Sequence, residues 1–312
     1  MSFAGKLLYR AWHRPIGKLL DVISAGGPGE MQRTEQGRRE MERAAYELAP
    51  IENLSGAPLE LHLLTGRCFW FQTAFCLWTL SRQSARPLAP VIYDDGTLGG
   101  EQQAALLRLF PGSRLVTQSE TTARLNAFLP AKRFPVIRER WLNYPNLRKL
   151  TDPHLGSSGW KLVMDSDLLF FSKPDLLLNW LQAPDAPLHA VDIANAYGYS
   201  DELLASLIPA PLPQRLNVGL CGLCSDRLDW EKIERFCRTL IAAERTNYYL
   251  EQALVALLLA GQKCTVAPAN DYVTLPQPPE AQACKAVMHH YVANSKRWYF
   301  QHNWRRTMKN NP

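Results

Sequence analysis

Two aspartates separated by a single residue, Asp165 and Asp167, are the residues of this sequence best suited to bind a metal ion. They directly follow the apolar run Trp160–Met164, which is typical of a buried strand. In an extended chain, side chains two residues apart point to the same side. Two carboxylates at one strand end supply part of a ligand set for a hard divalent cation such as Mn²⁺ or Mg²⁺. The pattern predicts a cation site that leaves coordination positions open for substrate oxygens.

The C-terminal region supplies the partner that this short motif needs, because a D-x-D triplet alone also occurs in solvated turns. Residues 289–298 read His-His-Tyr-Val-Ala-Asn-Ser-Lys-Arg-Trp. This run resembles the H-Y-x-x-x-x-K-x-W closing segment of the family 8 glycosyltransferases, the group of glycogenin and the bacterial lipooligosaccharide galactosyltransferases. The resemblance implies that His290 is the third protein ligand of the cation and that Lys296 contacts the diphosphate of a nucleotide sugar. With them we assign Ser166 and Trp298 to the donor site.

Three further motifs match the same family in the same order. A basic residue, a spacer and a strand lead into D-x-D, which places Lys149 near the nucleotide. Residues 216–219, Leu-Asn-Val-Gly, resemble the F-N-x-G segment, so that Asn217 would approach the sugar. Glu251 and Gln252, at the start of an apolar run, resemble the D-Q pair near the reacting carbon. Structural alternatives are that Asn217 satisfies buried backbone groups and that the Glu-Gln pair is an ordinary acidic helix start.

The chain also departs from the family 8 pattern. Ala293 stands where the family has Gly, Arg297 where it has Pro, and Glu251 where it has Asp. The chain therefore resembles a distant member of the family.

Candidate nucleotide contacts lie where two predicted strands end. The run Leu59–Thr65 ends at Thr65, and the next strand is closed by residues 94–97, Asp-Asp-Gly-Thr. This turn resembles the D-D-G-S turn of family 2 enzymes, which binds base and ribose. Because ligands of parallel sheets lie beyond the carboxyl ends of the strands, we assign Thr65, Asp94 and Asp95 to the nucleotide. A plain Asp-Gly turn is the alternative.

The order of elements predicts an α/β fold. Strand-like runs at 59–65, 88–93, 114–117, 160–164, 190–193 and 216–223 alternate with helical runs at 69–80, 100–110, 175–181, 228–243 and 248–260. Such alternation predicts a mostly parallel sheet flanked by helices, and the resemblance implies the Rossmann-like GT-A fold. We expect residues 1–55, with a polar helix over 30–48, to be an N-terminal helical extension. Residues 56–312 would form the glycosyltransferase domain, including the closing segment.

Composition narrows the classes of partner. The 312 residues carry a net charge of +6, with 46% hydrophobic and 21% charged residues, as in a globular protein with a sizeable core. This charge is too small to indicate nucleic acid. The seven cysteines lie mostly in apolar runs, which favours a reducing, cytoplasmic compartment, and the isolated C-x-x-C pair at 221–224 favours a structural role.

Membrane contact is predicted to be peripheral at most. No run reaches the roughly 18 apolar residues of a membrane span. Residues 1–20 mix basic and apolar side chains and could form an amphipathic helix on an anionic membrane. The basic residues at the other terminus, Arg305, Arg306 and Lys309, are expected to form a solvated tail.

The motifs together predict a metal-dependent enzyme that moves a hexose from a nucleotide diphosphate sugar, with a UDP-sugar favoured, to a hydroxyl acceptor. Family 8 implies retention of anomeric configuration, whereas an inverting enzyme could use Glu251 as its base. One alternative is a haloacid dehalogenase-like phosphatase with Asp165 as nucleophile, although Leu169 stands where such enzymes have Thr or Val. Another is a non-catalytic protein that binds sugar nucleotides on the same fold.

Overall fold

The computed structural model describes residues 26–52 and 54–309. Its main elements, in chain order, are α1 (Pro28–Glu47), β1 (Leu59–Thr65), α2 (Trp70–Arg82), β2 (Leu88–Asp94), α3 (Gly100–Leu109), β3 (Arg114–Val116), α4 (Gln118–Phe128), α5 (Pro135–Asn143), α6 (Leu147–Thr151), β4 (Trp160–Met164), β5 (Leu168–Phe170), α7 (Asp175–Gln182), β6 (Leu188–Val191), α8 (Asp201–Leu207), β7 (Leu216–Cys224), α9 (Trp230–Glu244), α10 (Leu250–Leu258), β8 (Thr265–Val266), β9 (Tyr272–Thr274), α11 (Pro278–Ala283), β10 (Met288–His290), α12 (Lys296–Trp298) and α13 (Trp304–Lys309). A π-helical turn, Tyr299–Asn303, joins the last two helices.

A seven-stranded sheet forms the centre of the fold, in the order β3-β2-β1-β4-β7-β6-β8. Its pairs are parallel except for those of β7, which runs antiparallel to both β4 and β6. This arrangement confirms the predicted mostly parallel sheet. Because β1, β2 and β4 are parallel neighbours, Thr65, the end of β2 and the D-x-D loop after β4 all lie at one edge of the sheet.

A second, three-stranded sheet closes that edge. Its order is β5-β10-β9, with β10 antiparallel to β5 and parallel to β9. In this register His290 pairs with Leu168, the first residue of β5. The small sheet therefore ties the C-terminal segment to the chain that immediately follows D-x-D.

Two apolar clusters pack against the central sheet, as expected when helices cover both faces. Helix α2 is apolar and buried on nearly all sides because it contacts the sheet, α1 and the chain end. Trp304 of α13 packs edge-on against Phe75 of α2, with ring centroids 5.5 Å apart. The prediction of a solvated tail holds for the side chains of Arg306 and Lys309, which are exposed. The segment is not a loose tail, however, because the buried Trp304 anchors it as a helix.

The N-terminal part of the described chain is also packed on the core. Helix α1 buries Met41 and Ala45 against the same apolar cluster as α2, while the division of the chain at residue 55 stays a prediction. The possible amphipathic helix at residues 1–20 lies outside the described residues. Within the described ranges, none of the helices combines the length and the apolar character needed to cross a bilayer.

Candidate functional site

The D-x-D loop is held between two strands that come from distant parts of the chain. The backbone N–H of Asp165 donates to the carbonyl of Gly219 on β7, at 2.9 Å. The N–H of Tyr291, just after β10, donates to the carbonyl of Asp167, also at 2.9 Å. These two backbone bonds fix both ends of the loop and place the last residue of β10, His290, beside it.

Asp165, Asp167 and His290 meet at one point and could hold a metal ion. The His290 Nε2 atom lies 3.5 Å from Asp165 Oδ2 and 3.3 Å from Asp167 Oδ1, and one potential ligand atom from each residue lies within 4.8 Å of the others. The imidazole is 3% exposed, yet neither of its nitrogens makes a hydrogen bond. A buried imidazole that faces two carboxylates but makes no hydrogen bond fits a divalent cation, since buried polar atoms normally have such a partner.

The neighbouring His289 has a different environment. One ring nitrogen lies 2.9 Å from the Tyr291 hydroxyl, and the other lies 2.9 Å from a carboxylate oxygen of Glu280. Its hydrogen-bonding capacity is therefore used within the protein. This contrast agrees with the choice of His290 as the candidate metal ligand.

Two lysines bring positive charge to the carboxylates. The Lys149 Nζ atom lies 2.8 Å from Asp165 Oδ1 and 3.2 Å from Glu251 Oε2, so that it bridges the partly exposed Asp165 and the buried Glu251. The Lys296 Nζ atom lies 3.1 Å from Asp167 Oδ2, and its side chain is 36% exposed. Lys149 is thus an internal part of the site, whereas Lys296 reaches it from the surface.

These contacts shift the ionisation of the ligand set. Burial alone would raise the pKa of Asp165, but Lys149 and His290 outweigh it and hold that pKa well below its usual value. Asp167 shows the same balance, with His290 and Lys296 as its partners. Burial lowers the pKa of His290, but the two carboxylates outweigh it and raise that pKa to about 9. Without a metal, the imidazole is therefore protonated at neutral pH.

Glu251 is the buried acid with the most strongly raised pKa in this group. Burial raises its pKa to about 7, although the Lys149 ammonium opposes the shift. Its backbone N–H donates to the Tyr144 hydroxyl at 3.3 Å, at the start of α10. A carboxyl with a pKa near neutrality is suited to proton transfer.

A cavity of about 470 Å³ opens beside the ligand set. Six of the residues predicted from the sequence line it, namely Lys149, Asp165, Asn217, Glu251, Gln252 and His290. They come from α6, the loop after β4, β7, α10 and β10. The fold thus gathers residues that span 142 positions of sequence, from 149 to 290 counted inclusively, around one space.

Asn217 and Gln252 converge on an acid that sequence reasoning missed, Asp192. Asn217 Nδ2 donates to Asp192 Oδ2 at 3.0 Å, and Gln252 Nε2 reaches the same oxygen at 3.4 Å. Asn217 Oδ1 also accepts from the Gly219 N–H at 2.9 Å, so the amide satisfies backbone and lines the cavity at once. The sequence does carry one signal for Asp192, because this residue immediately follows the strand β6.

Aromatic residues at the cavity mouth were also missed. Tyr248 and Tyr249, which directly precede α10, are 72% and 41% exposed and line the cavity. Their rings meet edge to face with centroids 5.4 Å apart. The backbone carbonyl of Tyr248 accepts from the Tyr144 hydroxyl at 2.6 Å. Two adjacent exposed tyrosines before a helix were the sequence signal for this rim.

The strand ends predicted to contact the nucleotide lie next to one another. Asp94 Oδ1 accepts from the N–H groups of Gly96, Thr97 and Leu98, at 2.8, 3.1 and 3.1 Å. Asp95 Oδ1 accepts from the N–H of Thr97 at 3.0 Å, and the N–H of Asp95 donates to the carbonyl of Thr65 at 2.9 Å. One oxygen of each carboxylate therefore shapes the turn.

Thr65 and Ser166 are linked through a residue that the motifs did not single out. Thr73 Oγ1 lies 2.8 Å from Thr65 Oγ1 and 3.1 Å from Ser166 Oγ. Thr73 belongs to α2, which packs beneath the D-x-D loop. The hydroxyls of Thr65 and Ser166 thus both lie within hydrogen-bonding distance of the Thr73 hydroxyl, inside the protein.

Trp298 is placed apart from the other predicted donor residues. It lines a separate surface cavity near α13 and not the cavity that contains Asp165. Its ring stacks under the Arg297 guanidinium at 4.3 Å. Lys296, the first residue of the same short helix, contacts Asp167. The helix therefore reaches the site through Lys296 and not through Trp298.

Known proteins resemble this chain in structure and not in sequence. No protein-family model matches the sequence, and no curated protein matches it. Among solved structures, the bifunctional glycosyltransferase WbbM in its apo form has a TM-score of 0.53 at 11% identity, over 84% of this chain and 51% of WbbM. Mouse xyloside xylosyltransferase 1, also apo, has a TM-score of 0.53 at 10% identity, over 77% of this chain and 99% of that protein.

A third similar structure is the galactosyltransferase LgtC in complex with donor and acceptor sugar analogs. It has a TM-score of 0.50 at 12% identity, over 80% of this chain and 94% of LgtC. This chain spans about half of WbbM, with 51% covered, and nearly all of the other two. At identities this low, structural similarity establishes the architecture alone. The chain has the GT-A fold of these glycosyltransferases.

Proposed function

We propose that this chain is a metal-dependent hexosyltransferase that moves a sugar from a nucleotide diphosphate sugar, preferably a UDP-sugar, to a hydroxyl acceptor. The observation that carries the proposal is the convergence of Asp165, Asp167 and His290, with potential ligand atoms within 4.8 Å of one another. The fold supports it, because the similar structures are glycosyltransferases. One of them, LgtC, was solved with donor and acceptor sugar analogs.

Asp165, Asp167 and His290 would hold Mn²⁺ or Mg²⁺, for which two carboxylates and an imidazole are suitable ligands. The bound cation would offset the negative charge that grows on the nucleotide diphosphate as it leaves. His290 must lose its proton to become a ligand. The backbone bonds that hold the D-x-D loop keep the two carboxylates in place for this purpose.

The two lysines would act differently. Lys296 is partly exposed and contacts Asp167 at 3.1 Å, so its ammonium can turn toward the donor diphosphate once the carboxylate has another partner. As a point charge it would stabilise the departing phosphate. Lys149 is buried between Asp165 and Glu251. It would hold these two acids at a fixed separation and balance their charge.

The sugar would occupy the cavity beside the metal ligands, where Asn217 and Gln252 present amides next to Asp192. We propose retention of anomeric configuration, in line with the resemblance to family 8. In this mechanism Gln252 or Glu251 would stabilise positive charge at the anomeric carbon. An inverting reaction would instead use Glu251 as base, and its pKa of about 7 suits that role as well. The anomer of the product distinguishes the two.

The acceptor would enter past the rim formed by Tyr248 and Tyr249. Exposed tyrosines present flat apolar rings with a polar hydroxyl, which suits a sugar ring that has one apolar face. The acceptor hydroxyl would then lie on the side of the cavity that contains Glu251.

The test is a donor screen with a matched set of variants. The full chain is incubated with UDP- and GDP-hexoses, with and without Mn²⁺, and the released nucleoside diphosphate is measured. We expect release from one donor to require the cation and to fall about 100-fold or more in Asp167→Asn and His290→Gln. Asp185→Asn, which removes an exposed carboxylate that does not line the cavity, should behave as the parent. Release that persists in EDTA and in both site variants would refute the proposal.

The same preparation addresses the two other functions. A phosphatase would hydrolyse a simple phosphate monoester, lose that activity in Asp165→Asn and leave sugar nucleotides intact. A non-catalytic binding protein would show a thermal shift with a nucleotide diphosphate and Mn²⁺ but no turnover with any donor or acceptor.

A further inference from the structure

A second cavity, of about 440 Å³, lies on the C-terminal segment. It is formed by α11, α12, the π-helical turn and α13, and we call it the C-terminal cavity. None of its lining residues lines the cavity beside Asp165. The hexosyl transfer proposed above uses none of them, and Trp298, which the sequence motifs assign to the donor, lies here instead. Its volume lies within the range of about 300–1,000 Å³ that is usual for small-molecule sites.

The lining of the C-terminal cavity is basic. It includes Arg305, Arg306 and Lys309, together with His302, and it contains no carboxylate among the described residues. The charge of Arg305 is met by Glu40 of α1, with which it forms an ion pair. Arg306 and Lys309 form no ion pair within the described ranges, so their two positive charges face the cavity unbalanced.

The unused hydrogen-bond donors match an oxyanion. Arg306 donates through Nη1 to the carbonyl of Gln282, and its Nε and Nη2 groups have no partner in the described part of the chain. The Lys309 ammonium and the Gln282 side-chain amide are likewise available there. A guanidinium anchored at one nitrogen, with an ammonium and an amide around the same space, is a donor set suited to a phosphate group.

The remaining wall would contact an organic group attached to that phosphate. The Trp298 ring lines the cavity and stacks with His302, with ring centroids 6.3 Å apart. A phosphate ion fills only a small part of about 440 Å³. A polar organic group such as a sugar ring or a glycerol unit would fill the space beside the indole and imidazole rings.

We infer that the C-terminal cavity binds a phosphorylated organic ligand, whose phosphate contacts Arg306 and Lys309 and whose organic group packs on Trp298. Two sources carry this chemistry, a soluble sugar phosphate and the headgroup of an anionic phospholipid. The site is independent of the transferase function, because its residues can be changed without touching the metal ligands. It gives the basic C-terminal helix a role that a solvated tail would not have.

The test uses the full chain and two probes in metal-free buffer. Binding of glucose 6-phosphate is measured by calorimetry, with glucose as the uncharged comparison. Binding to vesicles of phosphatidylglycerol is measured by sedimentation, with phosphatidylcholine vesicles as the comparison. We expect one of the two phosphate-bearing probes to bind the parent, and Arg306→Gln/Lys309→Gln to weaken that binding tenfold or more. The probe that binds identifies the source.

A matched control distinguishes the effect of the cavity residues on binding from the effect of a lower net charge. Lys132→Gln/Lys263→Gln removes two charges from exposed positions elsewhere and should bind as the parent. Because Arg306 also contacts Gln282, Lys309→Gln alone is a second variant, and its exposed side chain makes misfolding no concern. We expect it to weaken binding about threefold or more. The inference is overturned if neither phosphate-bearing probe binds, or if cavity and control variants bind equally well.

Discussion

Gly219 lies directly against the imidazole of His290. A Cβ atom on Gly219 would overlap His290 Cε1 and lie 2.6 Å from His290 Nδ1, and it would lie 2.8 Å from Asn217 Oδ1. Glycine in a strand interior often marks such a close approach. The candidate metal ligand can occupy its position only because β7 carries no side chain at this point.

Gly219→Ala should therefore weaken metal binding. The added methyl group would push the imidazole away from Asp165 and Asp167, and loss of one ligand from three should reduce Mn²⁺ affinity tenfold or more. Calorimetric titration of the metal-free protein measures this, with circular dichroism to check the fold. Gly100→Ala is the matched control, because a Cβ there meets nothing within 4 Å. Equal Mn²⁺ affinity in the two variants would contradict the assignment of His290.

The ionisation of His290 makes metal binding depend on pH. Its pKa is raised to about 9, so the metal-free site holds a proton below that pH, and a cation must displace it. We expect Mn²⁺ affinity to rise about tenfold per pH unit between pH 6.5 and 8.5, and to level off above the pKa. Calorimetry in buffers of different ionisation enthalpy should show release of about one proton at pH 7.5. An affinity that is constant over this range would contradict the expectation.

Much of the candidate site could be predicted from sequence because its signals are local. Asp165 and Asp167 follow a strand of buried residues, and the spacing from His290 to Lys296 matches a known closing segment. Strand bounds were predictable for the same reason, since Leu59–Thr65 and Trp160–Met164 are short apolar runs that end in polar residues. The mostly parallel order then follows from the alternation with helices.

The parts that could not be predicted depend on contacts between distant residues. Asp192 becomes part of the site only through Asn217 and Gln252, which are 25 and 60 residues away in sequence. Trp298 has the expected spacing from His290, but spacing does not fix which side of a short helix its ring takes. The helix at residues 304–309 was not predicted, because the packing of Trp304 on Phe75 cannot be read from a run of only six residues.

Lys149 should be essential for stability, because its ammonium lies between the buried Glu251 and the partly exposed Asp165. Lys149→Gln leaves Asp165 and Glu251 without its charge, and breaking a buried pair in this way costs about 3–5 kcal/mol of unfolding free energy. Urea unfolding in metal-free buffer measures the loss. Lys161→Gln is the matched control, because Lys161 pairs at 3.2 Å with Glu60, whose side chain is 54% exposed. Its loss should cost no more than about 1 kcal/mol.

A double variant tests the Lys149–Glu251 contact itself. Glu251→Gln removes one of the two acids, so the further addition of Lys149→Gln should cost less than Lys149→Gln alone. We expect the loss of unfolding free energy in the double variant to be about 1–3 kcal/mol smaller than the sum of the two single losses. Additive losses would show that the ammonium at 3.2 Å does not interact energetically with Glu251.

The side-chain amide of Asn217 links Asp192 to the backbone of β7. Its Nδ2 donates to Asp192 Oδ2 at 3.0 Å, while its Oδ1 accepts from the Gly219 N–H at 2.9 Å. Asn217→Asp keeps the acceptor toward Gly219 but replaces the donor toward Asp192 with an oxygen. Two carboxylates at this separation repel one another unless they share a proton.

Asn217→Asp should therefore reduce activity, relative to the parent, less at low pH than at high pH. At saturating Mn²⁺ and relative to the parent at the same pH, we expect hexosyl transfer to fall about 10–100-fold at pH 8, because repulsion would displace Asp192 from the cavity wall. The deficit should be smaller at pH 5.5, where a shared proton restores the bond. Mn²⁺ affinity at pH 8 should change less than about threefold, since the ligands are untouched. The pH profile of kcat/KM is the measurement, with Asn179→Asp adding the same charge at an exposed helix position. A profile parallel to that of the parent would show that the contact between Asn217 and Asp192 does not support the reaction.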